Sequence, residues 1–168
     1  ADLQVAPDDA RVKTPLKAIQ EHFFNAKYRI YSLQADHLPI PCLNGNIIYL
    51  DAYFNGAPGR KSLSAINFFA KNQRFDDGCY IGEKTSWCKN TSCYGEHSCY
   101  WGVTKLLKGL SFIPKHKRTK TAKALLGKCI EFILLHRVCF SSHEPHKIMI
   151  KDIDKLTFPN MYKSDFLE

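Results

Sequence analysis

Seven cysteines and seven histidines carry most of the chemical potential of this 168-residue chain. The cysteines lie at positions 42, 79, 88, 93, 99, 129 and 139, and four of them, Cys79, Cys88, Cys93 and Cys99, fall within 21 residues that also hold His97. Thiolate sulfur and imidazole nitrogen are the donors that zinc prefers, and it takes four of them in a tetrahedron. The run Cys88-x4-Cys93-x3-His97-x-Cys99 supplies such a set. Its spacings are not the paired Cys-x2-Cys knuckles of zinc modules. Three readings therefore stand: a zinc site on Cys88, Cys93, His97 and Cys99, free thiols, or a local disulfide. Cys129 and Cys139 sit in an apolar periodic stretch, where a free cysteine serves as a small core residue. Cys42 follows Pro41 at the start of a helical pattern and is expected at a helix end.

The remaining composition bounds the class. With 45% apolar residues and 12% aromatics the chain can bury a sizeable core as one domain spanning 1–168. No run of 18 uncharged apolar residues exists, which argues against a membrane-spanning helix. An odd cysteine count and the lack of a secretory pattern in Ala1–Pro7 point to thiols in a reducing cytoplasm. The balance of 24 Lys and Arg against 16 Asp and Glu leaves a net charge of +8, compatible with nucleic acid without demonstrating it.

These residues must be positioned by helices. Thr14-Pro15 reads as an N-cap followed by a first-turn proline, and Leu16, Ile19, Phe23, Ala26 and Ile30 recur at steps of three and four, predicting a helix from there to about residue 30. Leu43, Ile47, Leu50 and Phe54 predict a second helix opening near Cys42 and ending before Asn55-Gly56-Ala57-Pro58-Gly59. A third runs over about 61–72, a fourth from about Ser98 to before Pro114, and a fifth over about 121–139. A sixth begins at Pro159. Residues 79–98 read as a long ordered loop and 141–158 as irregular, with a hint of extended chain at Ile148, Ile150 and Ile153. No sheet is expected. Lys115-His116-Lys117-Arg118-Thr119-Lys120 forms a basic loop between the fourth and fifth helices.

Helix two opens Cys42-Leu43-Asn44-Gly45 and helix four opens Cys99-Tyr100-Trp101-Gly102, an offset of 57 residues. Each leads through a polar linker into another helix. Such self-similarity predicts stacked helical hairpins.

Phe68, Phe69, Gln73, Gly78 and Tyr80 match a repeat of the squalene–hopene cyclase and prenyltransferase class, with Tyr where that family has Trp. Pro41, Cys42, Leu43, Gly45 and Asn46, the Asp76-Asp77-Gly78 turn, the Cys-rich loop, Leu134-Leu135-His136-Arg137, and Phe158-Pro159 with Tyr162 and Asp165 resemble the small bacterial prenyltransferase-like proteins. The resemblance implies an all-α fold: an α/α toroid of alternating inner and outer helices, of which this chain would form an arc or a fragment of a longer ring. Helices two, four and six would be inner. Their N-termini would bring Cys42, Asn44, Asn46, His97, Cys99 and Tyr162 to one mouth of a ligand cavity for an isoprenoid or other apolar small molecule. His97-Ser98-Cys99-Tyr100 also resembles the zinc-binding Asp-x-Cys-Tyr of protein prenyltransferase β subunits, with His136, His143 and His146 as candidates for a further ligand.

The acidic Asp-x-Asp-Asp of the cyclases is replaced by Arg74-Phe75-Asp76-Asp77. A cation there opposes the raised carboxyl pKa that alkene protonation needs. Three functions follow: a prenyltransferase- or terpene-cyclase-like protein without the cyclase acid, a metal-stabilised helical binding module without catalysis, and, more weakly supported, nucleic-acid binding through 115–120.

Overall fold

The computed structural model describes residues 3–33, 38–75, 93, 97–156 and 165. Among them the chain forms α1 (Ala10–His22), β1 (Phe24–Asn25), β2 (Ile30–Tyr31), α2 (Pro41–Asn55), α3 (Arg60–Asn72), α4 (Tyr100–Ser111) and α5 (Lys120–Leu135), with a 3-10 turn at Lys115–Lys117 before α5. The protein is thus mostly helical, as expected. The sixth helix lies outside the described residues, as do Cys79, Cys88 and Tyr162.

The first helix departs from expectation at both ends. It begins at Ala10 because Asp9 caps it, accepting from the Arg11 amide at 2.9 Å, so Thr14 and Pro15 lie inside it. It ends at His22, eight residues before Ile30, and a two-stranded antiparallel hairpin follows, pairing Phe24 with Tyr31 and Asn25 with Ile30. Asn25 makes the break: its side-chain oxygen accepts from the Tyr28 amide at 3.1 Å and its backbone carbonyl from Arg29 at 2.8 Å. Local side-chain bonds of this kind compete with helix propagation. Arg29 takes a left-handed φ of 58° to complete the turn. The apolar spacing through Ile30 therefore reflects burial of Ile30 and Tyr31 in a strand, not helical continuity.

The next two helices follow the sequence reading closely. Pro41 fits the first turn of α2, where its missing N–H has no helical partner, and Gly56 ends the helix at φ 68°. The short turn into α3 is held by Asp51, a buried carboxylate that accepts from the Gly59 amide at 2.6 Å and from the Asn55 side chain at 2.7 Å. Helix α5 starts under a Thr119 cap and stops at Leu135, short of Cys139. Left-handed backbone at Arg137 and Val138 turns the chain away, and the Tyr100 hydroxyl donates to the Val138 carbonyl.

Burial separates two kinds of helix. Nine of the fifteen residues of α2 and eight of the twelve of α4 are buried, against four of thirteen in α3 and four of sixteen in α5. Helices α2 and α4 are therefore central, and α3 and α5 flank them on one apolar stripe each. The central pair runs parallel: Pro41 approaches Gly102, Gly45 faces Lys105, Ile48 meets Gly109, and the Tyr49 and Phe112 rings stack edge to face at 4.5 Å. The flanking helices run the other way, since Tyr100 at the head of α4 meets Phe132 and His136 at the tail of α5. Ile47, Ile66, Phe69, Val103, Leu106, Leu110, Leu125, Cys129 and Phe132 fill the core between them.

Candidate functional site

Running parallel, α2 and α4 place their N-termini side by side, so Cys42 on the first turn of α2 and Cys99 capping α4 come together. The Cys99 sulfur accepts from the Gly102 amide at 3.4 Å, as an N-cap side chain does. It also accepts from the thiols of Cys42 and Cys93. These bonds hold Cys99 well below the usual thiol range, since each donor favours the charged sulfur. The same bonds, with burial, push Cys42 and Cys93 upward, because a thiol that donates its proton resists losing it. Lys105, 1% exposed, acts on Cys42 in the opposite sense through its charge.

Of the zinc set expected from sequence, the structure brings Cys93 and Cys99 together and adds Cys42, which the sequence reading placed among the ligand-binding residues instead. Cys88 lies outside the described residues. His97 lines a separate cavity. Among the described residues no three or more His, Cys, Asp and Glu side chains form a finished metal cage. The thiols form a row, with Cys99 in the middle. Cys42, Cys93, Cys99, Cys129 and Cys139 are all free of disulfides.

The expected ligand-binding set divides in the same way. Asn44 is fully buried and its amide is fully engaged: Oδ1 accepts from the Tyr31 amide at 2.9 Å, and Nδ2 donates to the Tyr31 and Ile40 carbonyls at 2.8 and 2.9 Å. It ties strand β2 to α2 and has no donor left for a ligand, which corrects the sequence reading of this residue. Asn46 is half-buried on α2. Tyr162 lies outside the described residues. Cys129 is in the core as expected, whereas Cys139 is only partly buried against it.

A cavity of about 410 Å³ opens at the head of α4, lined by His97, Ser98, Tyr100, His136, His143 and Lys147 with Met149 and Ile150. His136 is 4% exposed, edge-on to the Tyr100 and Phe132 rings at 5.6 and 4.7 Å. Its Nδ1 lies 3.1 Å from the Phe140 carbonyl. A carbonyl only accepts, so Nδ1 carries the proton of this bond, and Nε2 is the basic nitrogen of the neutral ring. Sequence reasoning named His97, His136 and His143 in zinc terms; the structure gathers them around a cavity instead. Their common signal was proximity to the start of α4 and the end of α5, which only antiparallel pairing makes one place.

The basic segment 115–120 is largely occupied with helix ends. Arg118 donates to the Ile113 and Ser111 carbonyls at 2.8 and 2.7 Å, Lys117 to the Gly56 carbonyl at 3.2 Å, and Thr119 caps α5. Cations at helix C-termini satisfy the last carbonyls and the macrodipole. No helix among the described residues is long and apolar enough to cross a membrane.

No protein-family model, curated protein or solved structure matches the chain.

Proposed function

We propose that this protein is a prenyltransferase- and terpene-cyclase-like ligand-binding protein, built as an arc of an α/α toroid, that takes an amphiphilic anionic ligand of the isoprenyl diphosphate kind at the head of α4. The cavity there carries the reading. His97, His143 and Lys147 offer cationic or hydrogen-bonding groups to an anionic head, and Tyr100, Met149 and Ile150 offer apolar wall to a chain. The alternation of central and flanking helices, with both central N-termini at one end, supports the toroid-like arrangement. Arg74 in place of the first cyclase carboxylate separates the reading from alkene protonation, and the activity is left as ligand binding.

The test is calorimetric titration of the purified chain with farnesyl diphosphate and with inorganic diphosphate. The prenyl diphosphate should bind, more tightly than diphosphate alone, and His143→Ala and Lys147→Ala should each weaken it several-fold. No binding of either compound would sink the reading. Nucleic-acid binding through 115–120 has less support, because Lys117 and Arg118 already serve helix ends.

A further inference from the structure

The thiols of Cys42, Cys93 and Cys99 belong to three separate pieces of chain, yet they converge at the shared head of α2 and α4. Their position is fixed from outside. A Cβ on Gly102 would stand 2.8 Å from the Pro41 Cβ and 3.4 Å from the Cys99 sulfur, so only glycine lets the two helix heads close to this distance. We propose that Cys42, Cys93 and Cys99 are three ligands of a structural zinc site that clamps the two central helices and the segment bearing Cys93. The site is independent of the cavity described above.

Three observations carry it. First, zinc–thiolate bonds of about 2.3 Å in a tetrahedron set neighbouring sulfurs about 3.8 Å apart, the separation of hydrogen-bonded thiols. The Cys42–Cys99 and Cys93–Cys99 edges are already of that kind. Only the Cys42–Cys93 edge has to close for the row to become a cage. Second, Cys42 and Cys99 stand in the first turn and at the cap of parallel helices, where the unpaired amides of both favour anionic sulfur. Third, three thiolates on a divalent ion leave one negative charge, and the buried Lys105 ammonium acts on this cluster from α4. Binding releases the two thiol protons of Cys42 and Cys93 to solvent and forms three metal–sulfur bonds with no change of oxidation state.

The experiment uses the full chain, loaded with zinc or cobalt(II) salts under reducing conditions. One equivalent of zinc per chain by elemental analysis, and thiolate-to-cobalt charge transfer with the visible bands of a tetrahedral site, are expected. Cys42→Ser, Cys93→Ser and Cys99→Ser should each lose the equivalent of metal, and Cys139→Ser should keep it. Should a serine variant fail to fold, alkylation mapping of the unaltered chain decides: zinc must protect Cys42, Cys93 and Cys99 and leave Cys139 unchanged, with protection lost on chelation. A chain that takes up no metal, or one whose metal leaves these three thiols unprotected, overturns the proposal.

Discussion

A Cβ placed on Gly45 would lie 2.3 Å from the carbonyl carbon of Lys105, which makes the two central helices touch backbone to backbone. Gly109 repeats the relationship, with its would-be Cβ 2.6 Å from the Gly45 carbonyl oxygen. Neither neighbour is the mobile end of a side chain. Gly45→Ala and Gly109→Ala should each destabilise the protein by roughly 3 kcal/mol, the upper part of the overpacking range, and denaturant titration measures it. Gly127→Ala, with nothing within reach of its Cβ on α5, should be neutral or slightly stabilising.

Asn44 satisfies both the amide and the carbonyl of Tyr31 as well as the Ile40 carbonyl. Asn44→Ala strands these groups in the interior and should cost roughly 2–4 kcal/mol by chemical denaturation. Ligand binding at the α4 cavity, if measured on the protein that remains folded, should be unchanged.

Alkaline pH should unfold the protein through groups the core keeps neutral. Burial pushes the Cys129 thiol from 9.0 up to about 12, and burial with a small contribution from Asp51 pushes the Tyr31 phenol from 10.0 up to about 12 against its bond to Ser62. Both folded pKa values lie above the unfolded ones, so the stability they contribute is complete below pH 9 and is lost as pH rises from 9 to 12. The loss at pH 11 should amount to about 4 kcal/mol in total. Denaturation followed from pH 8 to 11 should show this decline, and Cys129→Ala should remove its onset between pH 9 and 10.

Arg29 is exposed and left-handed at the hairpin turn, where its carbonyl accepts from Ser64 at 2.9 Å. Arg29→Gly should raise stability by about 0.5–1 kcal/mol, read as a higher melting temperature, because glycine adopts this φ without the Cβ clash.

Much of the scaffold was legible from periodicity. Helices α2, α3 and α4 begin and end within about two residues of expectation, because Pro41, Gly56 and Pro114 punctuate them. The end of α1 was not legible, since Asn25 stops it through a bond to Tyr28 that apolar spacing does not encode. The pairing of Cys42 with Cys99 was visible in the 57-residue offset of the two helix openings, whereas the place of Cys93 beside them depends on how its segment returns to the helix heads. Asn44 was misread for a related reason. A buried amide in a first turn looks the same in sequence whether its partner is a ligand or, as here, the backbone of a strand thirteen residues earlier.

The contact between Gly45 and Lys105 also sets the order in which the chain can assemble. Helix α2 joins α3 through a four-residue turn, and α4 joins α5 through a short 3-10 segment, so each hairpin can form from neighbours. The central pair has no such advantage, because sixty residues of chain separate the two touching backbones. Closing a loop of that length costs on the order of 4 kcal/mol of chain entropy before any of the α2–α4 core is gained. Docking of two preformed hairpins is then the slow step of folding, and a substitution at Gly45 should retard refolding more than one on the outer face of α3.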